Sequence, residues 1–280
     1  MARKFDAEWL GWLKTNVQRG CSRGELQEIL LKNGFDEAAI LAAFNEVVGS
    51  ASMAAPPPER PAINVPNAKR AASRSIELYT AEAFLSADEC GALVELIRKS
   101  LRPSTISVPP SGEPDMRFRT SRTCDLVGGE RAIVSLNEKV HAAMGIDGAF
   151  AEPSQGQWYE AGQEFKPHTD FFKEYELERF STAAWGQRTW TFMIYLNEPE
   201  GGGGTRFTEL DLTIEPRTGT VVFWNNLTPA GEGNNFTMHQ GMPVTAGRKV
   251  IITKWFRRAP VEKRPSYTSV GAKWSQKVKV

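Results

Sequence analysis

His168 and His239 are two of only three histidines in this 280-residue chain, and their surroundings most strongly limit how it can fold. Asp170 follows His168 by two residues, so in a strand both side chains point to the same face. Two imidazoles and one carboxylate can occupy one face of an octahedral metal ion, the arrangement typical of non-haem Fe(II) sites. We therefore predict a metal site at His168, Asp170 and His239, in a fold that brings distant strands together. The alternative is a surface pair before a turn, because the short His-x-Asp pattern also occurs by chance.

The second half of the chain contains short strand-like segments that would supply such a fold. Turn signals, such as the glycine run 201–204 and the segment 216–219, separate these segments. One amphipathic helix, which Ser86 can cap, comes before them. Many short strands after a helix predict an α+β protein whose main domain is an antiparallel double-stranded β-helix, or jelly roll, with flanking helices. The predicted strands cover residues 157–159, 189–196, 204–207, 212–215, 220–224 and 249–256.

Composition divides the chain into four parts. Residues 1–49 carry apolar side chains at helical spacing and predict a small three-helix bundle. Residues 50–74 are rich in proline and alanine and predict a semi-extended linker. Residues 75–260 hold the strand-like segments and form the predicted jelly-roll domain. Residues 261–280 form a basic C-terminal tail, whose simplest interpretation is a solvated segment.

Charge and cysteine content argue against several classes of protein. The net charge of +1 gives no general electrostatic attraction to nucleic acid. The three cysteines are scattered, so they form neither a Cys-x-x-Cys metal pair nor a disulfide framework. The sequence also lacks an apolar leader and any run long enough to cross a bilayer. Together with reduced thiols, these features predict a soluble, cytoplasmic protein without a membrane partner.

Lys249 is the second residue that points to a site. Both faces of the segment 249–256 are largely apolar, so this strand is predicted to be central. A buried ammonium group is unfavourable unless it meets an anion, and the sequence marks no carboxylate partner for Lys249. A dicarboxylate cosubstrate would supply that anion. Alternatively, a lysine at the end of a barrel can extend its ammonium group to water.

Five sequence blocks, in one order, carry a resemblance to a known family. Residues 158–172, WYEAGQEFKPHTDFF, resemble the Y-x-x-G-x-x-Y/F-x-x-H-x-D block of prolyl 4-hydroxylase-like, 2-oxoglutarate-dependent Fe(II) oxygenases. Residues 187–197, QRTWTFMIYLN, look like their Q-R-x-x-T-x-L-x-Y-L strand. Residues 202–207, GGGTRF, are similar to their G-G-E-T-x-F turn, with glycine where glutamate is usual. The blocks 216–224 and 239–249 follow in the order of the family.

The resemblance implies an enzyme. It implies a 2-oxoglutarate- and Fe(II)-dependent dioxygenase that uses O2 to hydroxylate an aliphatic C–H bond and releases succinate and CO2. The implied substrate is a prolyl residue in a peptide or protein, and ascorbate is a further cofactor that the resemblance allows. It assigns iron binding to three side chains, cosubstrate binding to three and a substrate groove to one. These are His168, Asp170 and His239 for iron, Lys249, Tyr159 and Thr191 for 2-oxoglutarate, and Trp224 for the groove.

Alternatives stay open at three points. The same iron centre could hydroxylate a free amino acid or another small molecule, or the protein could be a non-catalytic adaptor with a cupin-type barrel. Trp224 could be an ordinary core residue, because aromatic side chains are commonly buried. The helices in residues 1–49 resemble a ubiquitin-associated (UBA-like) bundle, with a generic three-helix appendage as the alternative. We hypothesise that this bundle recruits a peptide or protein substrate.

Overall fold

The structure is a computed structural model that describes residues 4–18, 23–49, 61–104, 118–173, 177 and 185–261. The chain divides into two compact units, one formed by residues 1–60 with 178–181 and one formed by 61–177 with 182–280. The predicted tail from residue 262 onward and the predicted linker up to residue 60 lie outside the described residues. Across the described ranges, every helix is too short or too polar to traverse a lipid bilayer.

The first unit contains three helices, α1 (Ala7–Gln18), α2 (Arg23–Lys32) and α3 (Glu37–Gly49). Gly34 follows α2 with a φ of 84°, and the Asp36 carboxylate accepts a hydrogen bond from the backbone of Ala39 at the start of α3. The helices share one apolar cluster, so this unit has a core of its own. The likeness to UBA domains stays a prediction. The buried members of the cluster are Leu13, Leu26, Leu30, Phe35, Ile40, Ala43, Phe44 and Val47.

The second unit is built on antiparallel sheets. The largest sheet has eight strands, and a four-stranded and a two-stranded sheet accompany it. The strands are β1 (Lys69–Arg70), β2 (Leu78–Ala81), β3 (Arg102–Pro103), β4 (Arg122–Leu126), β5 (Ser154–Glu160), β6 (Phe165–His168), β7 (Arg188–Tyr195), β8 (Gly201–Gly202), β9 (Thr205–Phe207), β10 (Leu212–Ile214), β11 (Val221–Asn225), β12 (His239–Gly241), β13 (Val244–Ala246) and β14 (Arg248–Arg257).

Strand order agrees with the predicted double-stranded β-helix. The large sheet runs β1-β2-β11-β7-β14-β5-β4-β3, and the four-stranded sheet runs β10-β9-β12-β6. Side chains of both sheets meet in one core cluster, to which Tyr195 and Trp224 contribute from the large sheet and Phe207 from the smaller one. Lys249 lies in β14, which is flanked by β7 and β5. The prediction that this strand is central is therefore confirmed.

Two helices, α4 (Ala87–Lys99) and α5 (Arg131–Met144), cover the other face of the large sheet. The hydroxyl of Ser86 accepts from the backbone of Glu89, and the Glu89 carboxylate accepts from the backbone of Ser86. This reciprocal capping box fixes the start of α4 as the sequence predicted. The helices pack on the even-numbered side chains of β14, whereas the odd-numbered ones, Lys249 among them, face the smaller sheet.

The structure differs from the predicted linker at its C-terminal end. Val65 is buried, the backbone of Asn64 donates to the carbonyl of Ala143, and β1 pairs with β2 at the edge of the large sheet. Residues 61–74 therefore belong to the second unit. Proline favours extended backbone, and an extended segment packs along a sheet edge as readily as it spans solvent. Composition alone could not separate these two cases.

Candidate metal centre

The three predicted metal ligands converge in the structure. His168 ends β6 and His239 begins β12, and the two residues oppose each other directly across these antiparallel strands. Their ring centroids lie 4.3 Å apart, and Nε2 of His239 is 4.0 Å from Oδ2 of Asp170. The ligand atoms of all three residues lie within 4.8 Å of one another. In the part of the chain that the structure describes, no other cluster of three such side chains converges in this way.

Backbone carbonyl groups set the tautomer of both histidines. Nδ1 of His168 is 2.8 Å from the carbonyl oxygen of Lys166, and Nδ1 of His239 is 2.8 Å from that of Thr237. Because a carbonyl can only accept, each Nδ1 carries the proton and each Nε2 keeps its lone pair for a metal. Burial, with a smaller contribution from His239, lowers the pKa of His168 to about 3. His168 is therefore neutral at neutral pH, as a metal ligand must be.

Asp170 supplies the negative charge of the site. Its side chain is 6% exposed, and its Oδ2 accepts a hydrogen bond of 2.8 Å from the Thr191 hydroxyl. Burial raises the pKa of Asp170, but the neighbouring His239, His168 and Arg188, together with the Thr191 hydrogen bond, outweigh burial and hold the pKa below its usual value. Two imidazoles and one carboxylate on one side of a point fit Fe(II) with open positions opposite.

Lys249 is buried beside this centre. It is 1% exposed, so its ammonium group does not extend to water, and its Nζ donates to the carbonyl of Gly203 at 2.7 Å. Nζ also lies 5.1 Å from the ring centre of Tyr159 and 5.8 Å from that of Tyr195. Within the described ranges no carboxylate lies at ion-pair distance from Lys249, and burial lowers its pKa to about 7. A buried cation in this condition is ready to bind an anion.

The glycine run 201–204 shapes the surroundings of Lys249 as well as a turn. Gly203 has a φ of 76°, which favours glycine, and a Cβ there would lie 3.1 Å from Cδ of Lys249. A Cβ on Gly241, two residues after His239, would lie 3.6 Å from Nζ of Lys249. Lys249 and His239 therefore share one interior, although the run was predicted only as a flexible turn.

Tyr159 lies directly opposite Lys249, in register on β5. Its hydroxyl donates to Oε1 of Gln157 at 2.8 Å, and its side chain is 2% exposed. The structure thus brings together Tyr159 and Lys249, two of the three residues that we expected to bind the cosubstrate. Gln157 was not predicted, because nothing in the sequence separates it from the other polar residues of β5.

Thr191 and Trp224 make contacts that the sequence did not predict. The Thr191 hydroxyl donates to the Asp170 carboxylate and accepts from the Asn226 amide, and its expected contact with a cosubstrate stays a prediction. Trp224 is 1% exposed, and its ring packs edge-on against His239 at 4.8 Å. It packs in the core cluster between the two sheets, as the alternative of an ordinary core residue expects.

Two further residues near the site were missed by the sequence analysis. The guanidinium group of Arg119 lies 4.7 Å from the ring centre of Phe165, which itself stacks on His168 at 3.5 Å. Arg119 also donates to Oε1 of Gln155 at 2.9 Å. Asn226 is fully buried next to Thr191. Arg119 stands in a polar stretch and Asn226 just after a strand, so hydrophobic periodicity marks neither of them.

Comparisons with known proteins agree with this geometry. Residues 154–257 match the family model described as 2OG-Fe(II) oxygenase superfamily. Prolyl 4-hydroxylase subunit alpha-1 of Gallus gallus is 33% identical over 183 residues, which cover 65% of this chain and 36% of that protein. Prolyl 4-hydroxylase subunit alpha-1 of Homo sapiens is 34% identical over 183 residues, and the match covers 34% of that protein. The chain thus spans about a third of the length of these curated relatives.

A solved structure is similar as well. A viral collagen prolyl hydroxylase from Paramecium Bursaria Chlorella virus-1, determined as a 2OG complex, has 27% sequence identity and a TM-score of 0.50. The match covers 64% of this chain and 95% of that one. The family match begins at the start of β5 and ends in β14, so it contains the three converging ligands and Lys249. The chain is therefore similar to 2OG-Fe(II) oxygenases over the segment that contains its candidate metal site.

Proposed function

We propose that this chain is a 2-oxoglutarate- and Fe(II)-dependent dioxygenase that hydroxylates a prolyl residue in a peptide or protein. One observation carries the proposal: two imidazoles and a carboxylate converge next to a buried lysine that lacks an anionic partner among the described residues. The oxygenase family match supports the reaction. The names of the similar proteins, all prolyl hydroxylases, support the prolyl substrate.

Each residue of the site has a defined task in this proposal. His168, Asp170 and His239 hold Fe(II), and the ammonium group of Lys249 pairs with the distal carboxylate of 2-oxoglutarate beside Tyr159. When bound, iron, 2-oxoglutarate and O2 supply the oxidising power that converts a C–H bond to C–OH, with succinate and CO2 as coproducts. The protein orients these groups and limits the access of bulk water, because Asp170, His239 and Lys249 are almost fully buried.

The reaction can be tested with purified protein, Fe(II), 2-oxoglutarate and proline-containing peptides. We expect succinate to form and mass spectrometry to show the gain of one oxygen on proline. Absence of succinate with every substrate would contradict the oxygenase proposal and favour a non-catalytic adaptor. If free amino acids or other small molecules were oxidised and no peptide were, the dioxygenase reaction would stand. The proposal that the substrate is a prolyl residue in a peptide or protein would be wrong.

We further propose that residues 1–49 recruit the macromolecular substrate, and that the protein acts in the cytoplasm. The first unit has its own apolar core and contributes none of the converging metal ligands. A tethered binding unit raises the local concentration of the substrate that it holds. Cys90 and Cys124 are both free and buried, in keeping with a reducing compartment. Fractionation of cells that express the protein tests the location.

Two deletions separate recruitment from a structural role. Removal of residues 1–60 should leave succinate formation with a short peptide unchanged and weaken the use of a large protein substrate. Removal of residues 1–74 also deletes β1 and buried Val65, so it should lower thermal stability as well. Loss of metal binding after the shorter deletion would show that the first unit is part of the catalytic structure, which contradicts recruitment.

A further inference from the structure

A chain of three buried hydrogen bonds ends on the metal-binding carboxylate. Nε1 of Trp224 donates to Oδ1 of Asn226 at 2.9 Å, and Nδ2 of Asn226 donates to Oγ1 of Thr191 at 2.8 Å. The Thr191 hydroxyl then donates to Oδ2 of Asp170 at 2.8 Å. All four side chains are at most 6% exposed. We call this set the Asn226 relay.

Chemistry fixes the direction of the relay. The indole N–H of Trp224 can only donate, so the Asn226 amide must turn its oxygen toward it and its NH2 group toward Thr191. The Thr191 oxygen receives that N–H, and its single proton is then directed to Asp170. Reversing the amide would place two donors face to face at Trp224. The relay therefore delivers a donor, and never an acceptor, to the carboxylate.

Backbone contacts hold Asn226 in place between two elements of the site. Its N–H donates to the carbonyl of Thr189 on β7 at 2.8 Å. Its carbonyl accepts from the backbone of Asn234 at 2.9 Å, in the segment that leads to His239. Asn226 thus has little freedom to move, and a hydrogen bond that it directs is placed with the accuracy of the sheet.

We propose that Asn226 is a positioning residue that fixes the orientation of the Asp170 carboxylate through Thr191. The terminal torsion of an aspartate is broad, so the carboxylate needs a partner to select one orientation. A hydrogen bond to a charged oxygen is stronger than a neutral one, and partners of this kind orient metal ligands. Because Thr191 holds Oδ2, the Asp170 carboxylate faces a metal in a single orientation. The inference rests on the proposed metal site and is independent of the prolyl substrate.

Metal affinity measures this role without turnover. Co(II) is titrated into the full-length metal-free protein in the absence of 2-oxoglutarate, and visible absorption reports binding. Thr191→Val should weaken Co(II) binding by about 10–100-fold, the range typical when such partners are lost. Asn226→Leu should weaken it by about tenfold at the lower end of the same range. Thr191→Ser keeps the hydroxyl and should restore affinity to nearly the wild-type value.

Thr189→Val is the matched control. It makes the same substitution on the same strand and also removes a buried hydrogen bond, in which the Thr189 hydroxyl donates to the carbonyl of Phe256 at 3.1 Å. Because that bond does not reach Asp170, Co(II) affinity should stay at the wild-type value. Thermal melting of every variant identifies loss of folding. If Thr191→Val does not fold, Trp224→Phe keeps an aromatic side chain, removes the first donor of the relay and should still weaken Co(II) binding.

Two results would overturn the proposal. Equal Co(II) affinities for Asn226→Leu, Thr191→Val and Thr189→Val would show that the relay only stabilises the core. A higher KM for 2-oxoglutarate in Thr191→Val, with unchanged Co(II) affinity, would return Thr191 to the cosubstrate. Failure of the proposed function looks different: Co(II) affinity would still depend on the relay, and would be lost in Asp170→Ala, but the protein would form no hydroxylated product.

Discussion

Strand β14 carries two buried lysines on opposite faces, and the two differ in how many hydrogen-bond acceptors surround the ammonium group. Lys249 faces the metal ligands, whereas Lys254 faces the side covered by α5. Lys254 donates three hydrogen bonds, to Oδ1 of Asn137 at 2.9 Å, the carbonyl of Glu152 at 3.2 Å and the hydroxyl of Ser154 at 3.3 Å. In the described part of the chain, Lys249 has only the carbonyl of Gly203 as acceptor.

Burial and titration alone would not distinguish the two residues. Lys249 is 1% and Lys254 is 4% exposed, and burial lowers the pKa of the first to about 7 and of the second to about 8. An ammonium group has three donors, so Lys254 is satisfied within the fold and Lys249 is not. A buried polar group with unused donors needs an explanation, and a bound anion provides it for Lys249. Hydrogen-bond satisfaction therefore separates the lysine of a site from the lysine of a core.

The largest expected effect concerns the metal centre on the Lys249 side. Asp170→Ala removes the anionic ligand, so we expect metal affinity to fall by more than about 100-fold and hydroxylation to cease. Asp125→Ala is the matched control, because Asp125 forms a surface ion pair with Arg102. Metal titration and succinate formation check both variants. Wild-type turnover in Asp170→Ala would show that the cluster facing Lys249 is not the catalytic site.

The next effect compares the lysines directly by the same substitution. Lys249→Met should raise the concentration of 2-oxoglutarate required by on the order of a hundredfold or more, since loss of one partner of a buried ion pair costs about 3–5 kcal/mol. Lys254→Met should leave that requirement unchanged and lower the free energy of unfolding by about 1–3 kcal/mol, because its acceptors lose their donor. Cosubstrate titration and urea unfolding measure the two effects. Our assignment of the two lysines is wrong if Lys254→Met raises the 2-oxoglutarate requirement and Lys249→Met lowers only the free energy of unfolding.

A third test uses pH. The pKa of Lys249 is lowered to about 7, so in the free protein the group loses its charge as pH rises above 7. Because the dicarboxylate binds the charged form, we expect affinity for 2-oxoglutarate to fall by up to about tenfold per pH unit between roughly pH 7 and 9. The slope should persist in Lys254→Met and disappear in Lys249→Met. If the affinity of the wild type for 2-oxoglutarate did not change with pH, Lys249 would not be the residue that binds the cosubstrate.

The smallest expected effect lies on the side of Lys254. Nε2 of His141 is buried without a hydrogen-bond partner in the described residues, and burial, with a smaller contribution from Lys254, lowers the pKa of His141 to about 4. The unfolded state therefore takes up this proton first, and stability should fall as pH drops from about 6.5 to about 4. Between pH 6.5 and 5, His141→Leu should lose about 1–2 kcal/mol less of its free energy of unfolding than the wild type. Urea unfolding at both pH values measures this difference, and the affinity for 2-oxoglutarate should not change.

The sequence predicted the parts of the site whose chemistry is local. His168 and Asp170 are two residues apart, and Lys249 stands in a segment that is apolar on both faces, so spacing and composition were enough to place them. Thr191 and Trp224 could not be placed, because β7 and β11 are buried on both faces and period two does not identify the partner of each side chain. That partner is Asn226, which comes from a turn beyond the strand.

The same limit applies to the fold. The helix cap at Ser86 and the central position of β14 follow from short sequence patterns, and the structure has both. The edge pairing of β1 with β2 depends on residues far from the proline-rich segment, so composition placed the linker boundary at residue 74 instead of 60. Long-range pairing, and not local preference, decided that boundary.

The direct opposition of His168 and His239 has a consequence for the lifetime of the protein. The two residues stand on strands of only four and three residues, so an ion held by both would cross-link distant parts of the chain. An ion that binds only the folded state stabilises it by about 2.7 kcal/mol at a concentration 100 times its Kd. If the proposed Fe(II) site is correct, a cell short of iron would therefore contain fewer folded copies of this protein, and not only more inactive ones.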